Sequence, residues 1–255
     1  MTAPVSPATP PRHLPLGGTY NVRDVGGYVT QDGRTIRWRT LFRADSLHRL
    51  TEDGQAHLLD AGLRTIVDLR RDEELALAPN VLATSDRVRY VWVSLAPDPT
   101  NGAERRELAP DSLARTYRAI VDGRQGELCK VLAALARPGA FPALVHCTAG
   151  KDRTGIVVAL LLALAGVDRP TVAEDYALSA TYLTDEFFAD ARRRAEAAGH
   201  DWEQYRNLLG CPADLMLATL ADLDARFGGV ESYLRRIGLL DEEIEALRSA
   251  LVDVR

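Results

Sequence analysis

Ten residues, His146-Cys147-Thr148-Ala149-Gly150-Lys151-Asp152-Arg153-Thr154-Gly155, join two apolar segments and restrict what this chain can become. Before them, Phe141 to Val145 reads as a buried strand; after them, Ile156 to Ala165 reads as a buried helix. A strand that enters a helix through a tight, glycine-containing loop aims loop N–H groups and the helix dipole at one spot. That spot is an anion site. A cysteine opens this loop and an arginine closes it.

The rest of the pattern predicts an α/β fold. Glycines in Asn21 to Tyr28 suggest tight turns, and Gln31-Asp32-Gly33-Arg34 suggests a hairpin turn. Strands are expected over Thr40–Arg43, Thr65–Leu69 and Arg87–Val93. Thr51 is a candidate cap for a helix reaching Ala61, with Gly62 as its stop. A long loop, Ser94 to Asp111, precedes a helix interrupted near Gly123 and Gly126 that ends before Pro138-Gly139. Alternating strands and helices imply a central, mainly parallel sheet flanked by helices. From Thr171 on, the chain reads as helical: a capping box at Thr171–Glu174, then helices over Phe187–Ala198, Asp214–Phe227 and Asp241–Leu251.

With 255 residues, 46% hydrophobic, the chain can bury a full core. We expect one domain over residues 16–255 after a disordered lead-in, 1–15, rich in Pro, Ala and Thr. No run is long enough to span a membrane, and no apolar signal sequence is evident, so the expected location is cytoplasmic, with export by another route left open. A net charge of −5 argues against a nucleic-acid surface. Three scattered cysteines, Cys129, Cys147 and Cys211, fit neither a disulfide framework nor a zinc site. No metal or other cofactor is expected, and the oligomeric state is open.

The loop's chemistry suits phosphate monoesters. Cys147 is the candidate nucleophile, because a thiolate is favoured at a helix N-terminus and beside cations. Arg153 is the candidate clamp, its planar fork matching two phosphate oxygens. The N–H groups of Thr148, Ala149, Gly150, Lys151, Asp152 and Arg153 would take the remaining oxygens. Thr154 is expected to donate its hydroxyl to the thiolate, and His146 to order the loop rather than act as a base.

His-Cys-x5-Arg-Thr-Gly resembles the signature loop of the cysteine-dependent protein tyrosine phosphatase superfamily, and Ala149-Gly150-Lys151-Asp152-Arg153 resembles a bacterial branch of it. Further segments agree: Asn21–Gly27, Leu41–Asp45, Ile66–Arg70, Asp175–Ser179, Phe227–Val230 and Tyr233-Leu234. The resemblance implies a metal-independent phosphatase with a phosphocysteine intermediate. Its substrates would be phosphorylated proteins, phosphotyrosine first and phosphoserine or phosphothreonine next, or phosphoinositides, with inorganic phosphate as product. Two other classes compete: a phospho-ligand-binding module with little turnover, and a rhodanese-like sulfurtransferase. The latter usually lacks the Arg-Thr-Gly exit.

Three residues compete as general acid. Asp152, inside the loop, is favoured; Asp98 on the long loop and Asp68 at a strand end are the alternatives. Lys151 would add charge for a second anionic group. Arg23, Asp24, Arg43 and Asp45 read first as a structural ion network, and Asp175, Tyr176 and Ser179 as braces of the loop. Cys211 reads as a helix-start residue before a redox partner of Cys147. Residues 182–207 fit equally an amphipathic pair on the core and a helical lid over the site.

Overall fold

The computed structural model describes residues 11–97, 112–197, 199 and 201–253. Five strands form its sheet: β1 (Arg23–Asp24), β2 (Leu41–Ala44), β3 (Thr65–Asp68), β4 (Arg89–Trp92) and β5 (Ala143–His146). The helices that precede the loop are α1 (Glu52–Asp60), α2 (Asp72–Leu77), α3 (Ser112–Gly123) and α4 (Gln125–Ala136). After it come α5 (Asp152–Leu164), α6 (Arg169–Ala177), α7 (Ser179–Tyr182), α8 (Asp185–Ala197), α9 (Trp202–Asn207), α10 (Ala213–Phe227), α11 (Val230–Arg236) and α12 (Asp241–Leu251).

Strand order is β1-β2-β5-β3-β4. In this sheet β1 is antiparallel to its neighbour, whereas β2, β5, β3 and β4 run parallel. The sheet is therefore mainly parallel, with a mostly helical C-terminal half, as expected. Strand alternation divides the core. Leu41, Val67, Ala143 and Val145 face α3–α6 and α10–α12, through Ile120, Leu132, Leu160, Val172, Leu220, Leu234 and Leu247. Phe42, Ala44, Ile66 and Leu144 face the other way, onto Leu58 of α1. Burial on both faces explains why these strands are short apolar runs.

Register places Ala44, Asp68 and His146 side by side at the carboxyl ends of three parallel strands. That edge is where open α/β sheets hold ligands.

Several sequence expectations change in detail. The helix after the loop begins at Asp152, not Ile156, so Asp152, Arg153 and Thr154 form its first turn. The cap of α6 is Asp168, whose side chain accepts from the Thr171 amide at 2.9 Å, so Thr171 lies inside the helix. Helix α2 is additional to the expected elements. The expected lead-in, 1–15, ends inside ordered structure: His13 bridges Arg23, and the Leu14 amide donates to the Val22 carbonyl. The N-terminal pairing holds this stretch on the sheet edge. Residues 1–10 and Asp98 lie outside the described residues.

Candidate active site

Cys147 follows the last residue of β5 and is 2% exposed. The chain then turns through Gly150, at φ +67°. A Cβ there would lie 2.3 Å from the Ala44 carbonyl oxygen, so glycine is required both by conformation and by contact with β2.

The loop's carbonyls are held from behind. Thr148 O accepts from the Ser46 amide at 3.0 Å. Asn21 Nδ2 donates to Ala149 O at 2.9 Å, and Arg43 Nη2 to Gly150 O at 2.8 Å. Lys151 O accepts the Gly155 amide at 2.7 Å. Among the described residues, no protein acceptor takes the amides of Thr148 to Lys151. Unpaired amides of this kind, at the first turn of a helix, are donors of the type that can hold an anion.

The brackets behind the loop are themselves buried. Arg43 Nη1 lies 2.6 Å from Asp175 Oδ2, and Arg23 Nη2 donates to Asp175 O and Ser179 Oγ. Tyr28 OH donates to Asp175 Oδ1 at 3.0 Å. Burial raises the Asp175 pKa, but Arg23 and Arg43 outweigh it and hold the carboxyl below its ordinary range. Asp45 accepts the Tyr20 and Asn21 amides, and Asp24 those of Gly26 and Arg39. Arg23, Arg43, Asp175 and Ser179 thus share one buried network, while Asp24 and Asp45 are committed to backbone amides. Tyr176 packs against the open side of Gly155, where a Cβ would meet its ring at 2.9 Å.

His146 is fully buried, 3.2 Å from both Asp68 Oδ2 and the Cys147 carbonyl oxygen and 2.9 Å from Asn80 Nδ2. Its contacts order the strand end.

Asp68, the third acid candidate, has no exposed surface. Arg70 Nη2 lies 2.7 Å from its Oδ2, and Tyr90 OH donates to the same oxygen at 2.7 Å. Burial alone would raise its pKa, yet His146 and Arg70 hold it well below the usual range. A carboxylate so enclosed has no face toward a leaving group.

Asp152 is placed differently. Its side chain is 28% exposed, and its Oδ1 accepts a hydrogen bond from the buried Tyr117 OH at 2.8 Å. The Tyr117 and Tyr176 hydroxyls lie 2.8 Å apart. Among the described candidate acids, Asp152 is the one that is both in the loop and partly open.

Arg153 Nη1 and Nη2 meet Glu74 Oε2 and Oε1 at 2.6 and 3.0 Å. Burial works against its charge, but Cys147 and Glu74 overcome this and hold the guanidinium above its ordinary value. Sequence reasoning misses Glu74. The acidic run Asp72-Glu73-Glu74 signals a helix start, but nothing local pairs it with Arg153. Tyr117 likewise carries no signal beyond its place in a helix.

Two assigned roles change. Thr154 Oγ1 is buried and reaches no partner among the described residues, so the expected bond to Cys147 is not made. Lys151 is not free for a second anionic group. Its side chain is 1% exposed, and its Nζ donates to the carbonyls of Leu208 and Gly210 and lies 3.3 Å from Asp152 Oδ2. The chain after α9 covers it. Ala149 also touches this region, packing in a small cluster with Leu183, Phe187, Ala191, Trp202 and Leu209. Cys211 is buried, which pushes its thiol up to about 11 against the pull of Lys151.

Among the described residues no helix is long and apolar enough to cross a membrane. A model described as the tyrosine phosphatase family matches residues 14–253. A tyrosine-protein phosphatase of Nostoc commune is 35% identical over 219 residues, 82% of this chain and 73% of the relative. The triple specificity protein phosphatase PtpB of Mycobacterium tuberculosis is 28% identical over 281 residues, 94% of this chain and 99% of the relative. The crystal structure of TpbA from P. aeruginosa covers 76% of this chain and 98% of its own, with a TM-score of 0.37 at 20% identity.

Proposed function

The chain belongs to the tyrosine phosphatase family, and on that footing we propose a mechanism in which Cys147, Arg153 and Asp152 carry its hydrolysis of phosphate monoesters. The observations that support this reading are a buried Cys147 directly after β5, loop amides from Thr148 to Lys151 with no protein acceptor among the described residues, and Asp152 and Arg153 on the first turn of the helix that follows.

The Cys147 thiolate attacks phosphorus in line with the ester oxygen. As the S–P bond forms and the P–O bond breaks, protonated Asp152 gives its proton to the leaving oxygen. The loop amides and the Arg153 guanidinium neutralise the charge spread over the three equatorial oxygens, and the proton from Asp152 neutralises the charge that develops on the leaving oxygen. Water then attacks the phosphocysteine. Asp152, now a carboxylate, takes its proton, and the thiolate leaves with release of inorganic phosphate.

Phosphotyrosine is the proposed main substrate. Likeness to PtpB, named for triple specificity, supports acceptance of other phosphorylated side chains. Phosphoinositides rank lower, because Lys151, the cation suited to a second phosphate, is committed to Leu208 and Gly210. The helices α8 and α9 are proposed to cover the loop as a lid, on the strength of the Ala149 cluster.

The test is phosphate release from phosphotyrosine, phosphoserine and phosphoinositide substrates by the wild-type protein and Cys147→Ser. Turnover by the wild type and its loss in the variant are expected. Binding without turnover would favour a phospho-ligand module, and thiosulfate-to-cyanide transfer a sulfurtransferase.

A further inference from the structure

We infer that Glu74 is the positioning residue for Arg153, and that α2 places a carboxylate where it fixes the orientation of the phosphate-binding fork. The inference rests on the proposed phosphatase mechanism and names a residue outside the loop for it.

Each Glu74 oxygen has two partners. Oε2 accepts the Arg71 amide at 2.8 Å, which caps α2, and also Arg153 Nη1 at 2.6 Å. Oε1 accepts Arg153 Nη2 at 3.0 Å and the Thr148 hydroxyl. One carboxylate therefore joins a helix cap, the guanidinium and the first loop residue after Cys147.

The geometry leaves Arg153 one free edge. Nη1 also donates to Leu69 O at 3.3 Å, and Nη2 also to Thr148 Oγ1 at 3.2 Å. The end of the guanidinium is thereby occupied, and Nε donates to no acceptor among the described residues. A phosphate entering the cradle meets the Nε and Nη2 side, and displaces only the longer Thr148 contact. Turning the fork would break two charge-assisted bonds, which are the stronger kind.

A competing role for Glu74 is that of a resident anion that blocks phosphate. Its anchoring argues against this. The Arg71 amide holds the carboxylate from its own helix, and Arg70 Nη1 donates to Ala78 O at 2.7 Å, tying down the far end of α2. Burial opposes its charge, but Arg153 and Thr148 bring its pKa down to about 2, which favours the anion that the guanidinium pairs with.

The experiment combines Glu74→Ala and Glu74→Gln with Arg153→Lys. It measures kcat and KM on an aryl phosphate, and inorganic phosphate binding to the Cys147→Ser form by calorimetry. Glu74→Ala is expected to lower kcat/KM by about 10- to 100-fold, the scale on which misplaced catalytic groups act, and to weaken phosphate binding. Glu74→Gln recovers part of both, since its amide oxygen still accepts from the guanidinium. In the Arg153→Lys background the Glu74→Ala penalty shrinks to less than about threefold, because coupled residues are not additive. Unchanged kcat/KM and phosphate affinity in Glu74→Ala would overturn the inference. So would tighter phosphate binding, the mark of a blocking anion, or an undiminished penalty in the Arg153→Lys background, the mark of a role in the fold alone. If Glu74→Ala does not fold, Glu74→Gln decides by whether phosphate binding weakens. Absence of turnover in the wild type would defeat the proposed function, while phosphate affinity in the Cys147→Ser form still tests Glu74.

Discussion

The ammonium of Lys151, in the phosphate loop, donates to the carbonyl oxygen of Gly210 at 3.0 Å. It also donates to Leu208, so a residue beside the candidate acid holds the chain that follows α9. A buried ammonium with two carbonyl partners is a tether between the loop and the segment that follows α9.

Lys151→Met should therefore release this segment. The loss of hydrogen bonds to a charged group costs about 1.5–3 kcal/mol locally. Hydrogen exchange should quicken over residues 185–210 and stay unchanged in the sheet. Equal protection of α8 and α9 in the variant and wild type would show that Lys151 does not hold them.

Asp152→Asn should discriminate between substrates. With a poor leaving group, such as an alkyl phosphate, the expected loss in kcat is about 100-fold or more. An aryl phosphate with a strongly acidic phenol needs little proton donation and should lose far less. Tyr117→Phe removes the hydroxyl 2.8 Å from Asp152 but keeps the ring. It should show the same substrate dependence with a smaller loss, about 3- to 10-fold, matching one hydrogen bond. Equal losses on both leaving groups would remove Asp152 from the acid's role.

Gly150→Ala tests the loop's backbone. A methyl group at φ +67° and 2.3 Å from Ala44 O cannot be accommodated without moving β2 or the loop. We expect lost phosphate binding and a destabilisation of about 1–3 kcal/mol, measured by calorimetry and urea melts. Wild-type affinity in this variant would show that the turn is more adaptable than its contacts imply.

Stability should depend on pH through Asp45. Burial raises its pKa to about 6 from an ordinary 3.8, against the pull of the Asn21 and Tyr20 amides. Folding thus favours its protonated form. The contribution is complete below about 3.8 and is lost as pH rises through 6, by up to about 3 kcal/mol. Asp68 has the opposite sign: held low, it stabilises above its ordinary value and loses that only in stronger acid. Urea melts at about pH 5 and 7.5 should show Asp45→Asn losing the wild type's decline over that interval. Parallel curves for the two proteins would assign the titration elsewhere.

Much of this architecture was legible because it is local. Thr51 caps α1, Gly33 turns the hairpin, and the alternation of apolar strands with helices yields the parallel sheet. The run from His146 to Gly155 specifies strand, turn and helix start within ten residues, since each depends on neighbours in the chain. The sequence grouped Arg23 and Arg43 with Asp24 and Asp45, whereas both arginines pair with Asp175 and the two aspartates accept backbone amides.

What tertiary structure decided is which distant groups occupy those local parts. Glu74 meets Arg153 across 79 positions, and Arg43 meets Asp175 across 132. Asp68 and Asp152 are both acidic residues at element ends, yet one is sealed among Arg70, Tyr90 and His146 while the other stays partly open. Lys151 looks like a free cation in the chain and is a buried tether in the fold. Local pattern depends on backbone geometry and hydrophobic period, which neighbours carry. Burial and charge pairing depend on packing between elements, and no window of sequence contains them.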